Sequence, residues 1–145
     1  MVNSSTLDPK AWLAKAASDL RMVKKGMHGG DDTLDSAAYH AQQAAEKALK
    51  AFLVFHTVNF RKTHDLEYLL TTCAAIDFTF IQFNAYIAVL DDYSMTPRYP
   101  DDRFIITRDE AKAAYKKAKT IYEHVIMRSG LVVDFSIGSR RSKQK

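Results

Sequence analysis

Residues Ala37 to Leu70 read AAYHAQQAAEKALKAFLVFHTVNFRKTHDLEYLL, and the spacing inside them decides the architecture. Ala37, Ala38, Ala41, Ala45, Ala48, Leu49, Phe52 and Phe55 recur three, four and seven apart, the period of one face of an α-helix. This is a core face. Alanine dominates it, so a second helix can approach closely. His40, Gln43, Lys47 and Lys50 recur at steps of three, four and three, which places a polar stripe on the same helix. Two stripes imply a fold on one side and a ligand or partner on the other.

Working outward, Asp8-Pro9 has the form of a helix start, with Asp as N-cap and Pro at the first helical position, where its missing N–H costs nothing. Trp12, Leu13, Ala16, Ala17, Leu20 and Val23 then predict a first helix ending near Gly26. Gly29-Gly30-Asp31-Asp32 is a connector of turn-forming residues, and the second helix runs from about Leu34 to Thr57. Asn59 to Lys62 connect to a third helix, with Thr63 as its expected N-cap, Leu66, Leu69, Leu70 and Cys73 inside, and an end near Ala75. A fourth helix starts at Asp77 or Thr79, with Thr79-Phe80-Ile81-Gln82 as a capping box and Ile81, Ala85, Ala88 and Val89 as its stripe. It stops before Pro97.

Met95 to Ile106 is a loop with two prolines, aromatic rings and the adjacent acids Asp101 and Asp102. Thr107-Arg108-Asp109-Glu110 is a second capping box. It opens a last helix bearing Ala111, Ala114, Tyr115, Ala118, Ile121, Tyr122 and Val125, closed by Ser129-Gly130. Leu131 to Ile137 reads as a short strand or an extended arm, packing on the bundle or on a second copy. The expectation is therefore an all-α antiparallel bundle of about five helices, with one domain over 1–130 and an arm and basic tail over 131–145.

A chain of 145 residues is long enough to bury a core without disulfide or metal staples. The single cysteine, Cys73, sits in an apolar-periodic segment and reads as a small hydrophobe. Residues 1–130 carry 17 Lys or Arg against 16 Asp or Glu, so most of the net charge of +4 lies in the tail. Such a domain is not a general phosphate-binding surface, and RNA contact would need a local patch or the tail. Met1 to Asp8 has no basic flank or apolar run, and no apolar stretch approaches the ~20 residues needed to span a bilayer. A cytoplasmic protein that neither inserts in a membrane nor is secreted is the expectation.

The run His40-Ala41-Gln42-Gln43-Ala44-Ala45-Glu46-Lys47-Ala48-Leu49-Lys50, then Thr63-His64-Asp65-Leu66, then Arg98-Tyr99-Pro100-Asp101 resembles the HEPN domain (higher eukaryotes and prokaryotes nucleotide-binding). The resemblance extends roughly from Pro9 to Ser129, and its last segment matches the branch similar to the helical half of kanamycin nucleotidyltransferase. It implies a small antiparallel bundle, a homodimer, and pairing with a separately encoded minimal nucleotidyltransferase, as in a toxin–antitoxin pair. Many members are endoribonucleases in which an Arg, four to six residues and a His act on the ribose 2′-hydroxyl and the phosphate. This sequence departs from that pattern: Arg98, Arg103, Arg108 and Arg128 have no His at that distance, and Arg21 with His28 matches only at the wrong end of the chain.

The candidate nucleotide- or partner-binding residues are thus His40, Gln43, Lys47 and Lys50, joined by His64 and by Arg98 and Tyr99 of the loop. The first four span about 15 Å of helix, which suits an elongated anionic ligand; the alternative is a solvated face. For His64-Asp65 a structural role competes with a metal-site reading that needs further ligands. Arg98 can grip a phosphate and Tyr99 stack on a base, or Arg98 can fasten the loop to Asp91 or Asp92. The functional expectation is a non-catalytic nucleotide-binding HEPN protein without a cofactor. The alternatives are a metal-independent ribonuclease toxin using His64 or His40, and a purely structural assembly partner.

Overall fold

A computed structural model describes residues 7–94 and 106–131. Among the described residues five α-helices form the bundle: α1 Pro9–His28, α2 Leu34–Phe55, α3 Leu66–Ile76, α4 Asn84–Asp91 and α5 Arg108–Ser129. Short 3₁₀ turns at Asp31–Thr33 and Phe78–Phe83 precede α2 and α4, and no strand occurs among the described residues. The predicted all-α bundle is the observed one.

Helix α2 is the central element, packed against α1 and α5 along its length and against α3 and α4 on its remaining side. Its predicted face is buried from Ala37 to Phe52, while Phe55 is exposed at the helix end. Burial extends well beyond that face, to Gln42, Ala44, Glu46, Lys50, Ala51 and Leu53. Small residues make this close wrapping possible. A Cβ built on Gly26 of α1 would come within 2.9 Å of the Ala37 Cβ, so the absent side chain there sets how near the two helices run. The core is completed by Leu13, Leu20 and Val23 of α1, Leu66, Leu69 and Leu70 of α3, and Ile121 and Val125 of α5. Truncating one of these buried leucines to Ala removes contacts worth about 2–5 kcal/mol.

The helix ends follow local chemistry. Asp8 caps α1 by accepting from the Lys10 amide, and Thr107 and Glu110 form the predicted reciprocal box on α5. Gly130 closes α5 at φ 72°, the left-handed region. At the end of α2 that region is taken by Thr57, φ 59°. The Thr57 amide donates to Val54 O and the Val58 amide to Leu53 O, the paired bonds of a Schellman turn that usually selects glycine.

Two predicted starts move. Helix α3 is capped by Asp65, which accepts from the Tyr68 amide, whereas Thr63 Oγ1 accepts one turn earlier from the Asp65 amide. A carboxylate two residues further on wins the cap. Before α4, Asp77 caps the 3₁₀ turn and no Thr79–Gln82 box forms: Thr79 Oγ1 donates to Asp77, and Gln82 Nε2 donates to the Thr79 carbonyl. The buried face is Phe80, Phe83, Ile87 and Leu90, while Ile81, Ala85, Ala88 and Val89 face solvent. Both sets have helical spacing; the larger rings and Leu90 bury more apolar area, and they decide the rotation.

Candidate functional site at the α2 polar face

The polar stripe of α2 is organised by two acids on which the periodicity placed no emphasis. Asp19 occupies a core position of α1, one turn after Ala16, and is almost fully buried. His40 Nδ1 lies 2.8 Å from its Oδ1 and Lys47 Nζ 2.7 Å from its Oδ2. Glu46 belongs to α2 itself and is 2 % exposed. Lys50, one turn on, donates to it at 2.9 Å, and His64 Nδ1 approaches it at 3.0 Å from the segment before α3. A buried carboxylate persists only when paired in this way. The Lys50 ammonium also sits 5.3 Å from the centre of the half-buried Trp12 ring.

Both histidines face carboxylates, which accept and cannot donate, so each Nδ1 carries a proton and donates it. Gln43 Nε2 donates to Gln42 Oε1 at 2.7 Å and lies 3.5 Å from Glu46. Its side chain therefore joins the second cluster.

Beside that cluster a cleft of about 420 Å³ opens, lined by Tyr39, Gln43, His64, Asp65, Asp91 and Ser94. Its described lining holds two carboxylates and no Lys or Arg. The Asp91 carboxyl is pushed above the usual carboxylate range, first by partial burial and then by the charges of Asp65, Asp92 and Glu67. The mouth of the cleft is acidic.

The predicted site residues thus divide. Gln43 and His64 line the cleft, Lys50 is not part of the lining and is held by Glu46 with 6 % exposure, and His40 and Lys47 pair with Asp19 on α1. Arg98 and Tyr99 lie outside the described residues. Missed were Asp19, Glu46, Tyr39, Asp65, Asp91 and Ser94. One signal was available for Glu46: Glu followed by Lys at i+4 is the favoured orientation of a helical ion pair. For Asp19 it was a charged residue at the i+3 position of an apolar stripe.

The remaining described arginines have structural partners or an exposed setting. Arg108 donates to the Met27 carbonyl and reaches Asp31, Arg128 bonds Asp77 at 2.6 Å, Arg61 stacks on Tyr68, and Arg21 is exposed on α1. His28 Nδ1 lies 2.8 Å from the Lys24 carbonyl oxygen of its own helix. Burial of Cys73 pushes its thiol pKa up, and Sγ lies 3.6 Å from Leu49 O, in keeping with a core role. Among the described residues no three His, Cys, Asp or Glu converge on a metal position, and no helix is long and apolar enough to cross a membrane.

A five-helix bundle whose central helix carries an His-x-x-Gln-x-x-Glu-Lys face, closed by the histidine of a Thr-His-Asp-Leu segment, defines a class of small helical domain. The HEPN domain model matches residues 9–128, and the chain belongs to that family. The fold is similar to the crystal structure of an archaeal HEPN homologue, with a TM-score of 0.63 and 24 % identity over 84 % of this chain and 98 % of that one. A comparison with curated proteins gives no match.

Proposed function

We propose that this HEPN-domain protein is a non-catalytic binding module that takes the nucleoside end of a nucleotide in the cleft beside Glu46 and His64, within a complex that includes a separately encoded nucleotidyltransferase and a second copy of this chain. The observation that carries the reading is the lining of the cleft: one aromatic ring, one amide and two carboxylates around about 420 Å³. Tyr39 offers a stacking face for a base, Gln43 can both donate to and accept from a base edge, and Asp65 and Asp91 can accept from ribose hydroxyls. A polyphosphate is a poor match for the same lining, because Lys47 and Lys50 are already neutralised by Asp19 and Glu46. In this reading the phosphates point out of the cleft, towards solvent or the partner.

Calorimetric titration with the four ribonucleosides and their 5′-triphosphates tests the reading. A nucleoside is expected to bind at least as tightly as its triphosphate, and Gln43→Ala to weaken it about tenfold, the loss of one or two hydrogen bonds. A clear preference for the triphosphate would sink the proposed orientation. The internal pairing of the whole stripe favours one second reading, a purely structural assembly partner, which predicts no binding of any of the eight compounds.

A further inference from the structure

The two carboxylates that line the cleft are not equivalent. Asp65 is already engaged: its Oδ1 accepts from the Tyr68 amide at 3.1 Å, capping α3, and its Oδ2 lies 3.7 Å from the Arg61 guanidinium. Asp91, the last residue of α4, has no such partner among the described residues. Partial burial, and then the charges of Asp65, Asp92 and Glu67, push its carboxyl above the usual range, and no described cation offsets them. Asp91 thus brings to the cleft two accepting oxygens that are not yet used.

Gln43 tilts the lining the same way. The atom of its amide that lies 2.7 Å from Gln42 Oε1 also lies 3.5 Å from the Glu46 carboxylate, which only accepts, so that atom is the nitrogen. What Gln43 adds without breaking those contacts is its carbonyl oxygen, a further acceptor. A carboxylate is best served by two donors side by side, as in a bidentate pair. Of the four common bases, guanine alone carries two adjacent donors on one edge, the N1 hydrogen and the N2 amino group. Adenine and cytosine each set one amino group beside a ring-nitrogen lone pair, and uracil sets one N–H between two carbonyls. Each of these three would turn a lone pair towards one oxygen of the carboxylate, and a site built to pair two donors rejects a ligand that lacks one.

We infer that the nucleoside taken by this cleft is guanosine, its N1 and N2 hydrogens donated in parallel to the two oxygens of the Asp91 carboxylate. This inference rests on the reading of the cleft as a nucleoside site and names the base. Tyr39 then supplies the stacking face, Asp65 is left for the ribose hydroxyls, and Asp91 is the residue that sets specificity.

The test is calorimetric titration of the full-length protein with guanosine, inosine, adenosine, cytidine and uridine, repeated on Asp91→Asn with xanthosine added. Inosine lacks only the N2 amino group and is expected to bind about tenfold more weakly than guanosine, the loss of one hydrogen bond to a charged acceptor. Asp91→Asn exchanges one accepting oxygen for a donating amide nitrogen. Xanthosine carries a carbonyl where guanosine has its amino group, so in this variant the order is expected to reverse, with xanthosine bound more tightly than guanosine. A merely structural Asp91 would move all the nucleosides together. Equal binding of guanosine and inosine, or a preference for guanosine that survives in Asp91→Asn, would overturn the inference and leave the nucleoside site standing. Binding of none of the nucleosides would overturn both.

Discussion

His64 reaches from a ring that is 79 % exposed to a carboxylate, that of Glu46, which is 2 % exposed. The imidazole is therefore the surface end of a hydrogen-bonded chain through a buried carboxylate, and the ammonium of Lys50, 2.9 Å from the same carboxylate, is the inner end. The two ends are unequal in their demands. Lys50 has little water to turn to if Glu46 is lost, whereas His64 is solvated already.

This asymmetry sets the first expected outcome. Glu46→Ala leaves Lys50 buried without a counter-charge and should destabilise the protein by about 3–5 kcal/mol. In a domain of this size that is a fall in melting temperature of about 10 °C or more. His64→Ala should cost about 1 kcal/mol, the net worth of one hydrogen bond to a carboxylate that keeps its other partner. Differential scanning calorimetry of the two variants measures the contrast, and equal losses would contradict it.

Asp19 makes a comparable prediction across the α1–α2 contact. Because it holds both His40 and Lys47, Lys47→Met leaves it one partner, while Asp19→Leu leaves two half-buried groups facing an apolar side chain. A double-mutant cycle should give a coupling of about 1–2 kcal/mol between Asp19 and Lys47, above that of an exposed pair. Urea denaturation of the four proteins supplies it.

Two carboxylates should pull the acid stability profile in opposite directions. Asp91 titrates above the usual range, so its contribution is full below the ordinary carboxylate pKa of about 3.9 and is lost as pH rises through its raised value. Asp91→Asn should therefore gain on wild type as pH climbs out of the acid range. Asp77 is held down to about 2, first by the Thr79 hydroxyl and with help from Arg128, so its contribution is present above the ordinary value and lost as pH falls towards 2. Arg128→Ala should lower stability above the ordinary value and make its loss in acid shallower, because the Asp77 pKa moves back towards that value. Melting temperatures from pH 2 to 6 distinguish the two slopes.

Thr57 holds a left-handed conformation that β-branched residues adopt at a cost of about 1–2 kcal/mol. Thr57→Gly relieves it, and even after the larger entropy loss of glycine on folding the variant should be more stable by about 0.5–1 kcal/mol. Gly130→Ala, at φ 72°, should lose a similar amount. The pair can be compared by thermal melts.

The fold was readable because its signals are redundant: the Ala37 to Phe52 spacing, the Thr107–Glu110 box and Gly130 each act locally and agree. The fourth helix was misread for a physical reason. Two interleaved stripes both had helical spacing, and only the packing of Phe80 and Phe83 against Phe52 and His124 selects one. The site was half legible. Its cations stand out along α2, but the partner of Lys47 is 28 residues away on another helix, and no periodicity within α2 can reveal it. Asp91 and Ser94 join the cleft only through the way α4 folds back, which again is a tertiary fact.

Helix α2 is covered on almost every side, and Tyr39 and Gln43, which form one wall of the cleft, grow from it. Elements so enclosed open only with global unfolding, and their amides are among the last to exchange with deuterium. A molecule entering the cleft therefore meets a wall that has already lost its freedom during folding, and little further ordering of that wall opposes its capture.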